Sequence, residues 1–157
     1  MYLGENAAHT KASKDYLWKE PLETYIFSGN VTLAANSVSQ IVFNISNGFN
    51  FLASRFSFTS SVNSANVIPT FNIQFFTDQK AIFGDWVPNQ MFAGIMTETS
   101  TTPDTRYVVG LTNWYKFSKP IKCGMNSNLI VKLLDTSGVV NSVTIAVEGI
   151  RDIQFGA

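Results

Sequence analysis

His9 and Cys123 are the chain's one histidine and one cysteine, and they limit its chemistry first. A Ser-His-Asp or Cys-His centre needs an imidazole oriented by a third group, and His9 stands alone in a polar N-terminal stretch. The two residues cannot supply a zinc cluster, and a lone cysteine forms no intramolecular disulfide. Asp78, Asp85, Asp104, Asp135 and Asp152 are oxygen donors for a calcium ion, but none shows the D-x-D-x-D spacing of a calcium loop. Asp135 reads instead as a hairpin residue in Asp-Thr-Ser-Gly. A glycosidase carboxylate pair is distant in sequence, so spacing alone does not test it. Glu148 is the acid set well inside a predicted strand, and it reads as a solvent-facing residue or a partner for Arg55 or Arg106. No phosphate-cradling glycine motif occurs. The residues therefore point to a non-enzymatic chain with no catalytic residue, no metal and no cofactor.

Four aromatic residues, Trp86, Tyr107, Trp114 and Tyr115, have rings that can stack on a sugar or a base. The formal net charge is zero, so the basic stripe that nucleic acid requires is missing. Glycan contact through Trp114 and Tyr115 stays open as an alternative to packing in the core.

The elements that position these residues read as strands. Charged residues make up only 14% of the chain, against a usual figure of roughly 25%. Asn, Ser and Thr take their place and supply about a quarter of the residues. That surface suits strands and turns rather than helices. The stretch 71–77 alternates, with Phe71, Ile73 and Phe75 facing one way and Asn72 and Gln74 the other. Ile41, Phe43 and Ile45 share a face with Val42 opposite, and Val143, Ile145 and Val147 do the same in 142–150. In 51–59 the period of two puts Leu52, Phe56 and Phe58 on one face, with Ser54 among them. The stretch 128–134 is more continuously apolar, as a central strand would be. Turn-like sequence separates these runs at 35–37, 47–48, 60–66, 124–127 and 135–138. Seven or eight strands without a helical period after residue 21 predict one all-β domain, an antiparallel two-sheet sandwich over residues 22–157.

Two stretches depart from this pattern. Residues 1–21 crowd Glu5, Lys11, Lys14, Asp15, Lys19 and Glu20 together, yet also hold Tyr2, Leu3, Tyr16, Leu17 and Trp18. They read either as a frayed terminus or as an extended or partly helical arm that buries those large groups against a neighbouring subunit. Residues 78–118 mix Phe83, Trp86, Met91 and Phe92 with Gly, Pro and a Thr-rich tract, without one clean period. They read as a long connection that caps an open end of the sandwich or faces a partner. The first residues have no apolar core of a secretory signal, and no run approaches the roughly 18 apolar residues of a membrane span.

Laid in order, these strands carry a resemblance. It runs from an opening strand Tyr25 to Leu33, through Ala35 to Ile45 and Phe49-Asn-Phe51-Leu52, to Phe71–Phe75 leading into Asp78 and Phe83-Gly84. It continues with Lys119-Pro120-Ile121, with Asn126-Ser-Asn128 turning into Leu129 to Leu134, and with a last strand ending Ala146 to Ile150. In this pattern the chain resembles the small jelly-roll auxiliary proteins, decoration or cement proteins, of tailed bacteriophage capsids. The Thr97–Arg106 tract and the charged N-terminal stretch lie outside the pattern. The resemblance implies a jelly-roll sandwich in a virion, assembled in the host cytoplasm. Its partners would be the major capsid protein and copies of itself as a dimer or trimer, with no nucleic acid or membrane. The candidate partner contacts are then Tyr2, Leu3, Tyr16, Leu17, Trp18, Phe83, Trp86, Met91 and Phe92. The alternative is a carbohydrate-binding module or virion adhesin.

Overall fold

Alternating apolar and polar residues can bury only one face of a strand, so the strands must pair into sheets and the sheets must stack. The computed structural model describes residues 22–46, 48–78, 80–92, 96–101, 104–111 and 113–153. Ten strands result: β1 (Leu22–Leu33), β2 (Val38–Asn44), β3 (Phe49–Val62), β4 (Phe71–Thr77), β5 (Val87–Pro88), β6 (Met96–Thr101), β7 (Asp104–Gly110), β8 (Tyr115–Cys123), β9 (Asn128–Asp135) and β10 (Asn141–Ile153). One short 3-10 turn, Asn89–Met91, follows β5, and no α-helix occurs among the described residues.

The pairing is antiparallel throughout and nests like a folded ribbon. β1 pairs with β10, β2 with β9, β3 with β8, and β4 with β5. One sheet then runs β1-β10-β3 with β8 beside β3, and the other runs β2-β9-β4-β5. This is the jelly-roll order of a double-sheet sandwich. The inner faces meet through phenylalanines: Phe58 packs edge-on against Phe71 at 5.3 Å, and Phe56 lies 4.9 Å from Phe75. Phe51, Phe56, Phe58, Phe71 and Phe75 are all fully buried. Such ring pairs contribute about 0.5–1.5 kcal/mol each beyond the area they bury.

Three expectations need correction. The stretch 78–118 is not one long connection: it holds β5 and the hairpin of β6 and β7, which pairs with β3 at 59–61 and extends the first sheet. Its Thr-rich strand lacks the apolar alternation of a half-buried strand, so the sequence carried β-branched residues but no facing signal. In β3 the residues buried before Ser54 are Phe51 and Ala53, while Leu52 lies on the outer side, opposite to Phe56 and Phe58. A bulge is the cause. Gly149 pairs with Ala53 and Glu148 with Arg55, so Ser54 is an extra residue and the alternation changes phase after it. The predicted turn at 60–66 also begins later, because Ser60 is buried and still in β3.

Asparagine and glycine close the turns. Asn36, Asn66 and Asn126 take positive φ values of 54°, 60° and 58°, a conformation asparagine tolerates better than most residues.

Candidate contact surface

Of the nine residues expected to touch partners, Tyr2, Leu3, Tyr16, Leu17 and Trp18 lie outside the described residues, as does His9. The other four divide. Asn89 is fully buried; its Oδ1 accepts from the Phe71 N–H at 3.2 Å, and its amide nitrogen donates to the Pro69 carbonyl at 3.3 Å. That clamp ties the 3-10 turn to the start of β4. It leaves Met91 73% exposed and sends Phe92 inward, where it stacks on Phe83 at 5.8 Å and meets Phe56 edge-on at 5.1 Å. Phe83 also packs edge-on against Phe75. Phe83 and Phe92 thus cap one end of the core, and Trp86 is half-buried. The two candidate glycan contacts are partly covered, with Trp114 half-buried and Tyr115 still 38% exposed. The Arg55 guanidinium sits 5.2 Å over the Trp114 ring, and Tyr115 lies edge-on to Phe92 at 4.8 Å.

A surface that sequence reasoning missed lies on the outer face of the second sheet. In register, Val42 pairs with Ile130 and Ile130 with Phe76, which makes an apolar row across three strands. Four residues further along, Val38 pairs with Leu134. Val38 is 56% and Val42 41% exposed, and Ile130, Leu134 and Phe76 are half-buried. Between the rows lies a polar one, Gln40–Lys132–Gln74; Lys132 is the one charged residue among the outward positions of β2, β9 and β4, with its ammonium 4.7 Å over the Phe76 ring. Apolar side chains that reach solvent together on one sheet face make it a candidate contact surface. The signal was present in the sequence: Val42 faces opposite Ile41 and Phe43, Phe76 follows Phe75, and 128–134 is apolar in both phases. On the outer face of the first sheet Ile150 pairs with Leu52, and Ile26 lies exposed one row away, opposite Glu148.

No family model matches the chain, and no curated protein matches it. Among solved structures it is similar to the dimeric latent PorU of Porphyromonas gingivalis, with 14% identity and a TM-score of 0.44. That likeness covers 88% of this chain but 14% of the other, and it bears on neither fold nor function.

The ionisable groups near these surfaces are committed to structure. Glu148 accepts two hydrogen bonds from the Arg55 guanidinium, at 2.8 and 3.0 Å, which realises one of the two pairings expected for it. Burial, helped by the charge of Asp78, pushes the Cys123 thiol up to about 11, so at neutral pH it is protonated and a poor nucleophile. Asp135 is 2% exposed and holds four donors: the backbone N–H groups of Asn36, Ser137 and Gly138 and the Ser137 hydroxyl, at 2.6–3.2 Å. It ties the β1–β2 turn to the β9–β10 turn. Among the described residues no three His, Cys, Asp or Glu side chains gather as a metal cluster would.

Proposed function

We propose that this chain is a structural subunit of a virion shell, a jelly-roll domain that stabilises the shell by contact with neighbouring subunits. The observation that carries the reading is the apolar row Val42–Ile130–Phe76, partly exposed on a sheet face that holds a single charge. Size supports a repeated partner over a solitary one. Three strands of about seven residues offer roughly 300 Å² of flat face, against about 800 Å² per partner in a stable pairwise complex. One such contact is weak, but copies held on a lattice multiply it through effective concentration. Anything that binds only the assembled shell also stabilises it by mass action. The same strand order serves shell and lectin domains alike. Glycan binding draws less support, because Arg55 covers the Trp114 ring and Tyr115 packs against Phe92.

The test is re-binding to purified particles stripped of the chain, measured by co-sedimentation. Ile130→Glu is expected to weaken re-binding at least about tenfold, since it buries a charge in the contact. Because Ile130 is half-buried, Val42→Glu at the exposed position on the edge strand β2 is tested beside it, with a thermal midpoint expected within about 4 °C of the parent chain's and re-binding weakened likewise. Purified particles that never contain the chain, or re-binding unaffected by Ile130→Glu, would overturn the proposal.

A further inference from the structure

Along the free margin of β8 runs a cleft of about 440 Å³, within the size range of ligand sites. One wall is residues 117–122 of β8, and the other is the connection after β4, at Thr77 and residues 80–83. Among the described residues β8 pairs with β3 alone, and none of the described strands occupies its other side. Lys116 pairs with Arg55 and Ile121 with Ala53, so residues 117–120 of β8 face only Ser54 of β3 and bulge out of the ladder.

Charge is segregated in this cleft. Lys80, Lys119 and Lys122 line it, all three are exposed, and none is in an ion pair among the described residues. No acid lines it. The neighbouring Asp78 carboxylate is turned to Asn128, accepting from its backbone N–H at 3.0 Å. In a chain of zero net charge, three unopposed ammonium groups in one concavity make a local positive field that an anion relieves. Ile82, Phe83 and Phe117 add apolar surface beside the lysines.

We infer that this cleft takes an extended acidic peptide segment of about six residues, with acidic side chains alternating with apolar ones. The length is bounded by the wall, since its six residues, 117–122, span at most about 20 Å even when fully extended. The alternation follows from the lining, which offers ammonium groups and apolar side chains along one line, while a strand presents its side chains to two sides in turn. The site lies apart from the outer sheet face and goes beyond the shell reading, so either can fail without the other.

The probe is a fluorescein-labelled Glu-Leu-Glu-Leu-Glu-Leu peptide amide, titrated with the full chain and read by fluorescence anisotropy. Saturable binding at low salt is expected, weakened at least about tenfold at 0.5 M salt by screening. The triple change Lys80→Gln, Lys119→Gln and Lys122→Gln should weaken it by a similar factor, and Lys132→Gln should leave it unchanged. These side chains are exposed, and circular dichroism confirms that each variant is folded. Equal binding of the Gln-for-Glu peptide, equal binding by the triple variant, or no saturation by about 1 mM, the weak end of specific affinity, would overturn the assignment. So would binding of polygalacturonate without binding of the peptide, which would make the ligand an acidic sugar.

Discussion

Asp135 illustrates how a residue that reads as surface chemistry becomes architecture. As an acid in a hairpin it looks solvated, yet it is buried and accepts from four donors on two separate turns. Removing the carboxylate leaves three backbone N–H groups without their acceptor, and each such loss is costly when the group is shielded from water. Asp135→Ala is therefore expected to lower stability by about 3 kcal/mol, and Asp135→Asn by less, since the amide oxygen still accepts. Urea unfolding followed by tryptophan fluorescence measures both. A change below about 1 kcal/mol for the alanine variant would show that the turns close without it. Phe83 and Phe92 make the complementary point: large apolar residues in an irregular stretch went to the core end, while Met91 beside them stayed exposed.

Among the elements, β3 and β10 carry the main irregularity. The bulge at Ser54 changes the phase of β3, and Gly149 faces it from β10. A Cβ at Gly149 would collide with the Leu52 carbonyl, so only glycine lets the two backbones approach. Gly149→Ala is expected to cost about 3 kcal/mol or more, read as a thermal midpoint lowered by roughly 10 °C. A midpoint within about 2 °C of the parent would mean that the backbones part easily. The adjacent Arg55–Glu148 pair adds little by comparison, because the Arg55 side chain is 43% exposed and solvent screens the attraction.

For the molecule as a whole, the pairing order governs behaviour. β1 and β10 pair along their full lengths, so the two ends of the described chain must meet before the first sheet is complete. Long-range pairing of this kind predicts slow folding, in milliseconds to seconds rather than microseconds. The two sheets share one phenylalanine core, so they should unfold together in a single transition. Stopped-flow refolding and coincident unfolding curves from circular dichroism and fluorescence check both statements. Two separated transitions would show that the sheets are independent.

The sequence by itself determined the fold class. A period of two in 37–45, 71–77 and 142–150, with turn residues between, requires sheets with one buried face, in a sandwich or a barrel, and the structure takes the sandwich. It offered Arg55 as one of three readings for Glu148, beside Arg106 and a solvent-facing position, and the structure takes Arg55. The side on which Leu52 lies was decided only in three dimensions, since one extra residue reverses every later side chain. The candidate contacts depended on tertiary structure for the same kind of reason. Val42, Ile130 and Phe76 are far apart in the chain and become a surface only when β2, β9 and β4 come into register. The lysines of the cleft meet only across the gap between β8 and the connection after β4. Local pattern reports which face of a strand is apolar, while what that face meets is set by strand order, and strand order is a property of the whole chain.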